Sequence, residues 1–192
     1  MPLLKKQGSN EFTYREYLKW PDDERWEIIE GEAYGMSPAP SRMHQEISMK
    51  LVNKIYNYLG GKVCKVFAAP FDVRLSYTQD DDENIKSVVQ PDISVICDEN
   101  KLDDKGAKGA PDFIIEIVSP SSTFLDYVIK LNLYGKYSVK EYWIVNPVKK
   151  NVLVYILDEN KEYGTPEMYN EGEKIKVSIF QDLTIDLAYI FE

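Results

Sequence analysis

The sequence places two carboxylates inside apolar, strand-like runs. Asp92 lies within residues 88–97 and Glu116 within residues 113–118. Burying an unpaired carboxylate costs several kcal/mol, so each residue needs a cation, a basic partner or a bound proton. For Glu116, an edge-strand position facing water is the alternative. If the two strands are neighbours, both carboxylates can converge on one ion, and such oxygen ligands suit a hard divalent cation, typically Mg²⁺ with retained waters.

A nearby carboxylate, Asp112, has the same local context as Asp92, because Pro111-Asp112 repeats Pro91-Asp92. Four residues along one extended strand separate Asp112 from Glu116 by ~13 Å, too far for the pair to share one Mg²⁺. We therefore predict that Asp92 is the partner of Glu116 and that Asp112 marks the start of the strand.

The segment after Glu116 adds a basic and a phenolic side chain. Asp126, Lys130 and Tyr134 recur at i,i+4 spacing, so they line one face of a predicted helix. A lysine on an amphipathic helix is usually solvated. Next to two strand-borne acids, Lys130 becomes a candidate for orienting a nucleophilic water or stabilising charge on a phosphoryl group.

Several other catalytic motifs are absent from the sequence. It contains no phosphate loop ending in Lys-Ser/Thr, no His-Glu-x-x-His and no Gly-x-Ser-x-Gly. His44 is the single histidine, which excludes multi-histidine metal sites. It is either a lone acid/base or substrate contact, or a structural residue at the start of a helix.

Local signals define the elements that must position these residues. Thr13-x-x-Glu16 has capping-box spacing before a short helix over residues 14–20, and Glu30-Gly31 is the expected turn of a hairpin over residues 26–34. A long amphipathic helix begins at Ser41, carries Met43, Ile47, Leu51, Ile55 and Leu59 at i,i+4, and ends at Gly60-Gly61.

Further apolar runs predict strands over residues 62–68, 71–77, 88–97, 113–118, 141–146 and 152–157. Side-chain alternation puts Ile114, Glu116 and Val118 on one face of their strand. Ser122 or Thr123 caps the next helix, which runs to about residue 137. We expect the following positions of this helix to lie toward the sheet or its rim: Leu125, Val128, Ile129, Asn132 and Leu133. An edge strand (174–180) and a terminal element (183–190) complete a mixed α/β domain covering residues 1–192, with residues 1–11 flexible.

Composition limits the remaining possibilities. The 192 residues are 44% hydrophobic, with 32 acids, 23 bases and a net charge of −9. This charge argues against general coating of nucleic acid, although not against a local basic site. No long apolar run predicts a membrane span or signal peptide. Cys64 and Cys97 are too few for a metal knuckle or disulfide framework, so we expect reduced thiols in a cytoplasmic protein.

These residues carry a family resemblance. The order Pro91-Asp92 then Glu116-Ile117-Val118, with an amphipathic helix before and after, resembles the PD-(D/E)XK restriction-endonuclease-like superfamily. Within it, the chain is similar to the Uma-two endonuclease group over residues 12–191. The matching stretches are residues 26–32, 36–40 with His44-Gln45, 89–92, 110–122, Asp126-x-x-x-Lys130-x-x-x-Tyr134, and 141–145.

The resemblance implies a restriction-endonuclease-like core, with a central mixed β-sheet flanked by helices and an N-terminal helix and hairpin as additions. It implies hydrolysis of DNA phosphodiester bonds with Mg²⁺ or Mn²⁺ held by Asp92, Glu116 and the backbone carbonyl of Ile117. Val118 departs from the superfamily pattern, where this position is lysine. Lys130 is the candidate for a migrated lysine, and His44, Asp126 and Tyr134 are auxiliary candidates.

Two alternatives stay open. One is a nuclease-like domain that binds nucleic acid or a protein partner without cleaving, which Val118 and the acidic charge favour. The other is a structural role in which Glu116 is simply paired with Lys130. The sequence contains no recognisable base-reading module, and a homodimer would supply two sites for double-strand cutting.

Overall fold

The strands of the protein form two six-stranded sheets and one two-stranded ribbon. The computed structural model describes residues 11–21, 23–36, 39–77, 81–119 and 124–192. Residues 1–10 of the segment expected to be flexible, and the expected cap at Ser122 or Thr123, lie outside these ranges.

The strands are numbered in chain order. They are β1 (Trp26–Ile29), β2 (Glu32–Gly35), β3 (Lys65–Ala68), β4 (Val73–Arg74), β5 (Val88–Val89), β6 (Ile93–Ile96), β7 (Leu102–Asp103), β8 (Gly106–Lys108), β9 (Phe113–Ile117), β10 (Glu141–Asn146), β11 (Asn151–Ile156), β12 (Glu167–Asn170), β13 (Lys174–Lys176) and β14 (Thr184–Asp186). The helices among the described residues are α1 (Tyr14–Tyr17), α2 (Arg42–Leu59), a π-helix (Leu125–Lys130), α3 (Leu131–Lys136) and α4 (Leu187–Phe191), with two short 3-10 helices at Asp82–Asn84 and Glu99–Lys101.

The central sheet has the order β12-β11-β10-β9-β6-β3, and its strands are antiparallel except for the parallel pair β9–β10. This confirms the predicted α/β class with a mixed sheet. The N-terminal hairpin turns at Glu30-Gly31 as expected, with Ile29 opposite Glu32. It is not an isolated addition, because β1 also pairs with β5 in a second sheet of order β2-β1-β5-β4-β8-β7.

The predicted strand over residues 88–97 is two strands in different sheets. β5 belongs to the second sheet and β6 to the central sheet, and Pro91-Asp92 lies between them. Proline cannot donate to a strand ladder, so this dipeptide is a natural place for the chain to leave one sheet for the other. The expectation that Asp92 lies within a strand is therefore wrong, and Asp92 occupies the junction of the two sheets.

Helix α2 covers one face of the central sheet. Ser41 caps it by accepting a hydrogen bond from the His44 amide, and its buried stripe is Ile47, Leu51, Ile55 and Leu59. This stripe packs in one cluster with the β9 residues Phe113, Ile115 and Ile117. Burial of such side chains stabilises the fold by roughly 1.5–3 kcal/mol each. Met43, predicted on the same stripe, is 44% exposed.

The opposite face of β9 carries Ile114, Glu116 and Val118, as alternation predicts. Ile114 and Val118 pack in a second cluster, which includes Val73 and Leu75 from the β4 region and Tyr134 from α3. The second sheet and the π/α3 segment thus enclose the face from which Glu116 projects.

The segment after β9 presents an unexpected face to the core. Its first part is π-helical, and Asp126 and Lys130 are each 3% exposed, whereas Val128 is 43% exposed. Of the residues expected toward the sheet or its rim, Leu125 and Leu133 are buried, whereas Val128 and Asn132 are exposed. The polar face turns inward since it meets buried carboxylates.

The two cysteines are joined in a disulfide between Cys64 and Cys97. The β3–β6 register pairs Lys65 with Ile96, so the flanking residues Cys64 and Cys97 are neighbours across the strands. The expectation of reduced thiols is therefore wrong: the residues are distant in sequence but adjacent in the sheet. Within the described ranges, no helix has both the length and the apolar character needed to cross a membrane.

Candidate active site

Glu116 projects from the middle of β9 into the space between the two sheets and is 4% exposed. Its Oε1 atom accepts hydrogen bonds from Lys130 Nζ at 2.9 Å and from Tyr134 Oη at 2.8 Å. Its Oε2 atom lies 3.4 Å from the backbone nitrogen of Asp92. One carboxylate oxygen is thus held by α3 and the π-helix, and the other faces the sheet junction.

Asp92 is held at that junction by backbone contacts from both sides. Its Oδ2 accepts the Ile117 amide at 2.7 Å, and its carbonyl accepts the Ala69 amide at 3.1 Å. The side chain is 22% exposed, compared with 5% for that of Glu116. Asp92 therefore forms the solvent side of the site and Glu116 its floor.

His44, in the first turn of α2, contacts Asp92 from the solvent side. Its Nε2 lies 3.2 Å from Asp92 Oδ2. Nδ1 is buried and has no hydrogen-bond partner among the described residues. Burial alone would lower the pKa of His44, but the hydrogen bond and charge of Asp92, with contributions from the Ile117 carbonyl and Asp126, raise it.

Lys130 is enclosed by carboxylates. Its Nζ lies 2.9 Å from Glu116 Oε1, 2.9 Å from Glu27 Oε1 and 3.9 Å from Asp126 Oδ1. Burial alone would lower the pKa of Lys130, but Glu116, Glu27 and Asp126 raise it well above its usual value. The lysine is therefore a fixed positive charge at the centre of the cluster.

The same cluster places three carboxyl groups around one ammonium group. Burial raises the pKa of Glu116 well above its usual range; Lys130 opposes this rise, whereas Asp126, Asp92 and Glu27 add to it. A further positive charge near Glu116 would favour its ionised form in the same way as Lys130 does.

Glu27 is a site residue that the sequence predictions missed. It lies on β1, is 1% exposed, and its Oε1 also accepts the Gln90 amide at 2.8 Å. The available signal was the one that identified Glu116: an acid flanked by apolar residues, here Trp26 and Ile28, in a predicted strand.

The family of the chain follows from a comparison with known sequence families. Residues 14–188 match the model of the Uma2 (Uma-two) family, described as "Putative restriction endonuclease". The chain belongs to the Uma2 family.

Two further similarities accompany this Uma2 match. A Synechocystis protein named "Uncharacterized protein slr1290" is 24% identical over 178 residues, covering 91% of this chain and 89% of that protein. A crystal structure from Anabaena variabilis, described as "a putative nuclease belonging to DUF820", superposes with a TM-score of 0.74 at 22% identity. The match covers 94% of this chain and 97% of that one, and it shows the same fold.

Restriction-endonuclease-like families generally use divalent metals. The question for this Uma2 protein is whether its side chains offer the ligands that such an ion needs. Among the described residues, no group of three or more His, Cys, Asp and Glu side chains is arranged to hold a metal ion. Mg²⁺, however, commonly takes only one or two carboxylates and keeps several waters. Asp92 at the solvent side and Glu116 at the floor provide carboxylate oxygens of that type, so the residues fit a water-rich site rather than an all-protein cage.

The structure brings together the predicted site residues Asp92, Glu116, Asp126, Lys130, Tyr134 and His44. It separates Asp112 from them: Asp112 accepts the Cys97 amide at 2.8 Å and pairs with Lys140 at 2.7 Å. Asp112 is a structural residue at the start of β9, as predicted.

Proposed function

We propose that this Uma2 protein is a divalent-metal-dependent endonuclease that hydrolyses phosphodiester bonds of DNA. The observation that carries the proposal is the convergence of Asp92 and Glu116, from the sheet junction and the central strand β9, with 3.4 Å between the Asp92 nitrogen and Glu116 Oε2. Two acids of this kind, one at the floor and one at the opening, suit phosphodiester hydrolysis with a hard cation.

In this proposal Asp92 and Glu116, with the Ile117 carbonyl, hold Mg²⁺ or Mn²⁺. The bound ion supplies a nucleophilic water at neutral pH and offsets charge on the phosphoryl oxygens. The Ile117 amide fixes the Asp92 carboxylate, and Tyr134 fixes Glu116. These contacts hold both acids in place before substrate arrives.

In this proposal Lys130 replaces the lysine that the superfamily pattern has at the position of Val118, because a valine side chain cannot contact a water or a phosphate. Its ammonium opposes the rise that burial causes in the pKa of Glu116, and it places a positive charge behind the reacting phosphate. Asp126 shares the same ammonium at 3.9 Å. Because Lys130 Nζ is bonded to carboxylates, its contribution is electrostatic and does not involve proton transfer.

His44 and the start of α2 form the opening beside Asp92. The His44 side chain is 13% exposed, and Ser41 and Arg42 next to it are exposed. An imidazole and an exposed guanidinium at the first turn of an 18-residue helix suit contact with a DNA phosphate.

Calorimetric titration with Mg²⁺ and Mn²⁺ tests the metal site first. Wild type should bind, and Asp92→Asn and Glu116→Gln should each weaken binding, with the double variant losing it. Asp112→Asn is the matched control, since it changes the same residue type after a proline on the adjacent strand, and it should bind like wild type. Metal-dependent nicking of supercoiled plasmid DNA, lost in Asp92→Asn and kept in Asp112→Asn, then tests the reaction. No metal binding by wild type would refute the proposal.

A second candidate is a nuclease-like module that binds nucleic acid or a protein partner without cleaving it. The enclosure of Lys130, at 3% exposure, favours this candidate, because a lysine surrounded by carboxylates does not contact a phosphate directly. Retention of labelled DNA without cleavage, in the presence of either metal, would support this second function over the first.

A further inference from the structure

We infer that Glu27 is a positioning residue of the site and that the N-terminal hairpin is therefore part of the catalytic unit. This inference rests on the proposed nuclease function and deepens it. Glu27 does not face the opening of the site. It acts by positioning two parts of the site, the Lys130 ammonium and the sheet junction that carries Asp92.

A single oxygen of Glu27 makes both connections. Oε1 lies 2.9 Å from Lys130 Nζ and accepts a hydrogen bond from the backbone N–H of Gln90 at 2.8 Å. Gln90 immediately precedes Pro91-Asp92. This oxygen therefore links Lys130, which contacts Glu116, to the backbone segment that positions Asp92.

The two carboxylates Glu27 and Glu116 lie at equal distances from Lys130 Nζ, 2.9 Å each. Without the charge of Glu27, the ammonium is left with Glu116 and the more distant Asp126. One ion pair at 2.9 Å, in place of two, would then hold Lys130, so Lys130 and the Glu116 carboxylate would be less firmly positioned. Lys130 is therefore held between Glu27 of the second sheet and Glu116 of the central sheet.

This arrangement explains why a hairpin distant in sequence is tied to the junction. β1 pairs with β5 through Ile28 and Val88, which sets Glu27 beside Gln90. The second sheet thereby supplies a buried acid to a site whose other acids lie on the central strand β9, at the sheet junction and on the π-helix.

Glu141 provides a matched control. It is also a fully buried glutamate on a strand, at 0% exposure, but its partners are Trp143 Nε1 and the Ser178 and Ile179 amides, away from Lys130. Glu27→Gln and Glu141→Gln each neutralise one buried carboxylate, and only the first touches the site. Thermal unfolding of both variants gives the structural cost of each change.

The test is a double-variant cycle on nicking of supercoiled plasmid DNA with Mg²⁺ or Mn²⁺. Glu27→Gln should lower kcat about tenfold or more with KM little changed. Combining it with Lys130→Gln should cost less than the sum of the two single losses, since part of the Glu27 effect passes through Lys130. Glu141→Gln should keep the wild-type kcat. Fully additive losses, or an unchanged kcat in Glu27→Gln, would overturn the inference.

A second readout is independent of cleavage. Reductive methylation with formaldehyde, followed by mass spectrometry, reports how accessible the Lys130 amine is. Lys130 should be protected in wild type and in Glu141→Gln, and labelled faster in Glu27→Gln. If wild type cuts no DNA, the proposed function fails, and this labelling alone decides whether Glu27 positions Lys130. Equal labelling in the two variants would refute that role.

Discussion

Lys130 Nζ lies 2.9 Å from Oε1 of Glu116 inside the protein, with both side chains almost fully buried. A buried ion pair is weak evidence for stability, because removing two charges from water costs about as much as their attraction returns. Its presence next to the partly exposed Asp92 is better explained by a requirement for a carboxyl group at a fixed position.

Glu116→Gln should abolish metal-dependent cleavage while leaving the fold intact. Glutamine keeps the shape and can still accept from Tyr134, and burial already raises the pKa of Glu116, so loss of the charge removes a desolvation cost. We expect cleavage to fall at least about 100-fold and the free energy of unfolding to change by less than about 1 kcal/mol. Plasmid nicking and urea denaturation measure the two effects. A large loss of stability would instead identify Glu116 as a structural ion-pair residue.

Lys130→Met should destabilise the protein strongly. It leaves Glu27 and Glu116 buried without their cation, and such a loss typically costs about 3–5 kcal/mol. Urea unfolding followed by circular dichroism measures the change. The double variant Glu116→Gln/Lys130→Met should recover part of the stability, because one of the uncompensated charges is then absent. Equal stability of the single and double variants would argue against coupling between these residues.

Reduction of the Cys64–Cys97 disulfide should lower the unfolding temperature. The crosslink joins residues 33 apart, and a closed loop of that length contributes about 3–4 kcal/mol in the chain-entropy account. Calorimetric scans with and without dithiothreitol test this. The Cys64→Ser/Cys97→Ser variant is the control, because its scan should not respond to the reductant.

Asp103→Asn should make the protein less sensitive to acid. Burial alone would raise the pKa of Asp103, but hydrogen bonds from Arg74 and the Lys105 amide, with both positive charges, lower it. A lowered pKa contributes stability above the ordinary aspartate value of about 4 and loses it as the pH falls through the folded-state pKa. Unfolding temperatures of wild type and variant should therefore differ at neutral pH and converge in acid. A difference that is constant over this pH range would contradict the assignment.

Local signals were sufficient where neighbouring residues decide the structure. The capping box before α1, the Glu30-Gly31 turn, the Ser41 cap and the apolar stripe of α2 all lie within a few residues of the element they define. The acid within the β9 run was visible for the same reason, since Glu116 interrupts an otherwise apolar strand.

The missed features depend on contacts that are distant in sequence. β5 and β6 look like one apolar run, and only Pro91-Asp92 separates two strands that belong to different sheets. Glu27 is one of several glutamates near the hairpin, and its burial follows from pairing of β1 with β5. The i,i+4 spacing places Asp126 and Lys130 on one face of that helix, but this face turns inward because of contacts with Glu27 and Glu116, which are distant in sequence.

The segment Leu125–Lys130, which carries both Asp126 and Lys130, is wound as a π-helix. π-Helical turns are wider than α-helical ones, and they frequently occur at functional sites. Removing one residue between Asp126 and Lys130 would restore α-helical winding and still leave both side chains on one face, because residues three apart are neighbours on an α-helix. The turn would be narrower, so Lys130 would be displaced from its position between Glu27 and Glu116. Deletion scanning across this turn would therefore test whether its width, and not only the identity of its side chains, sets the geometry of the site.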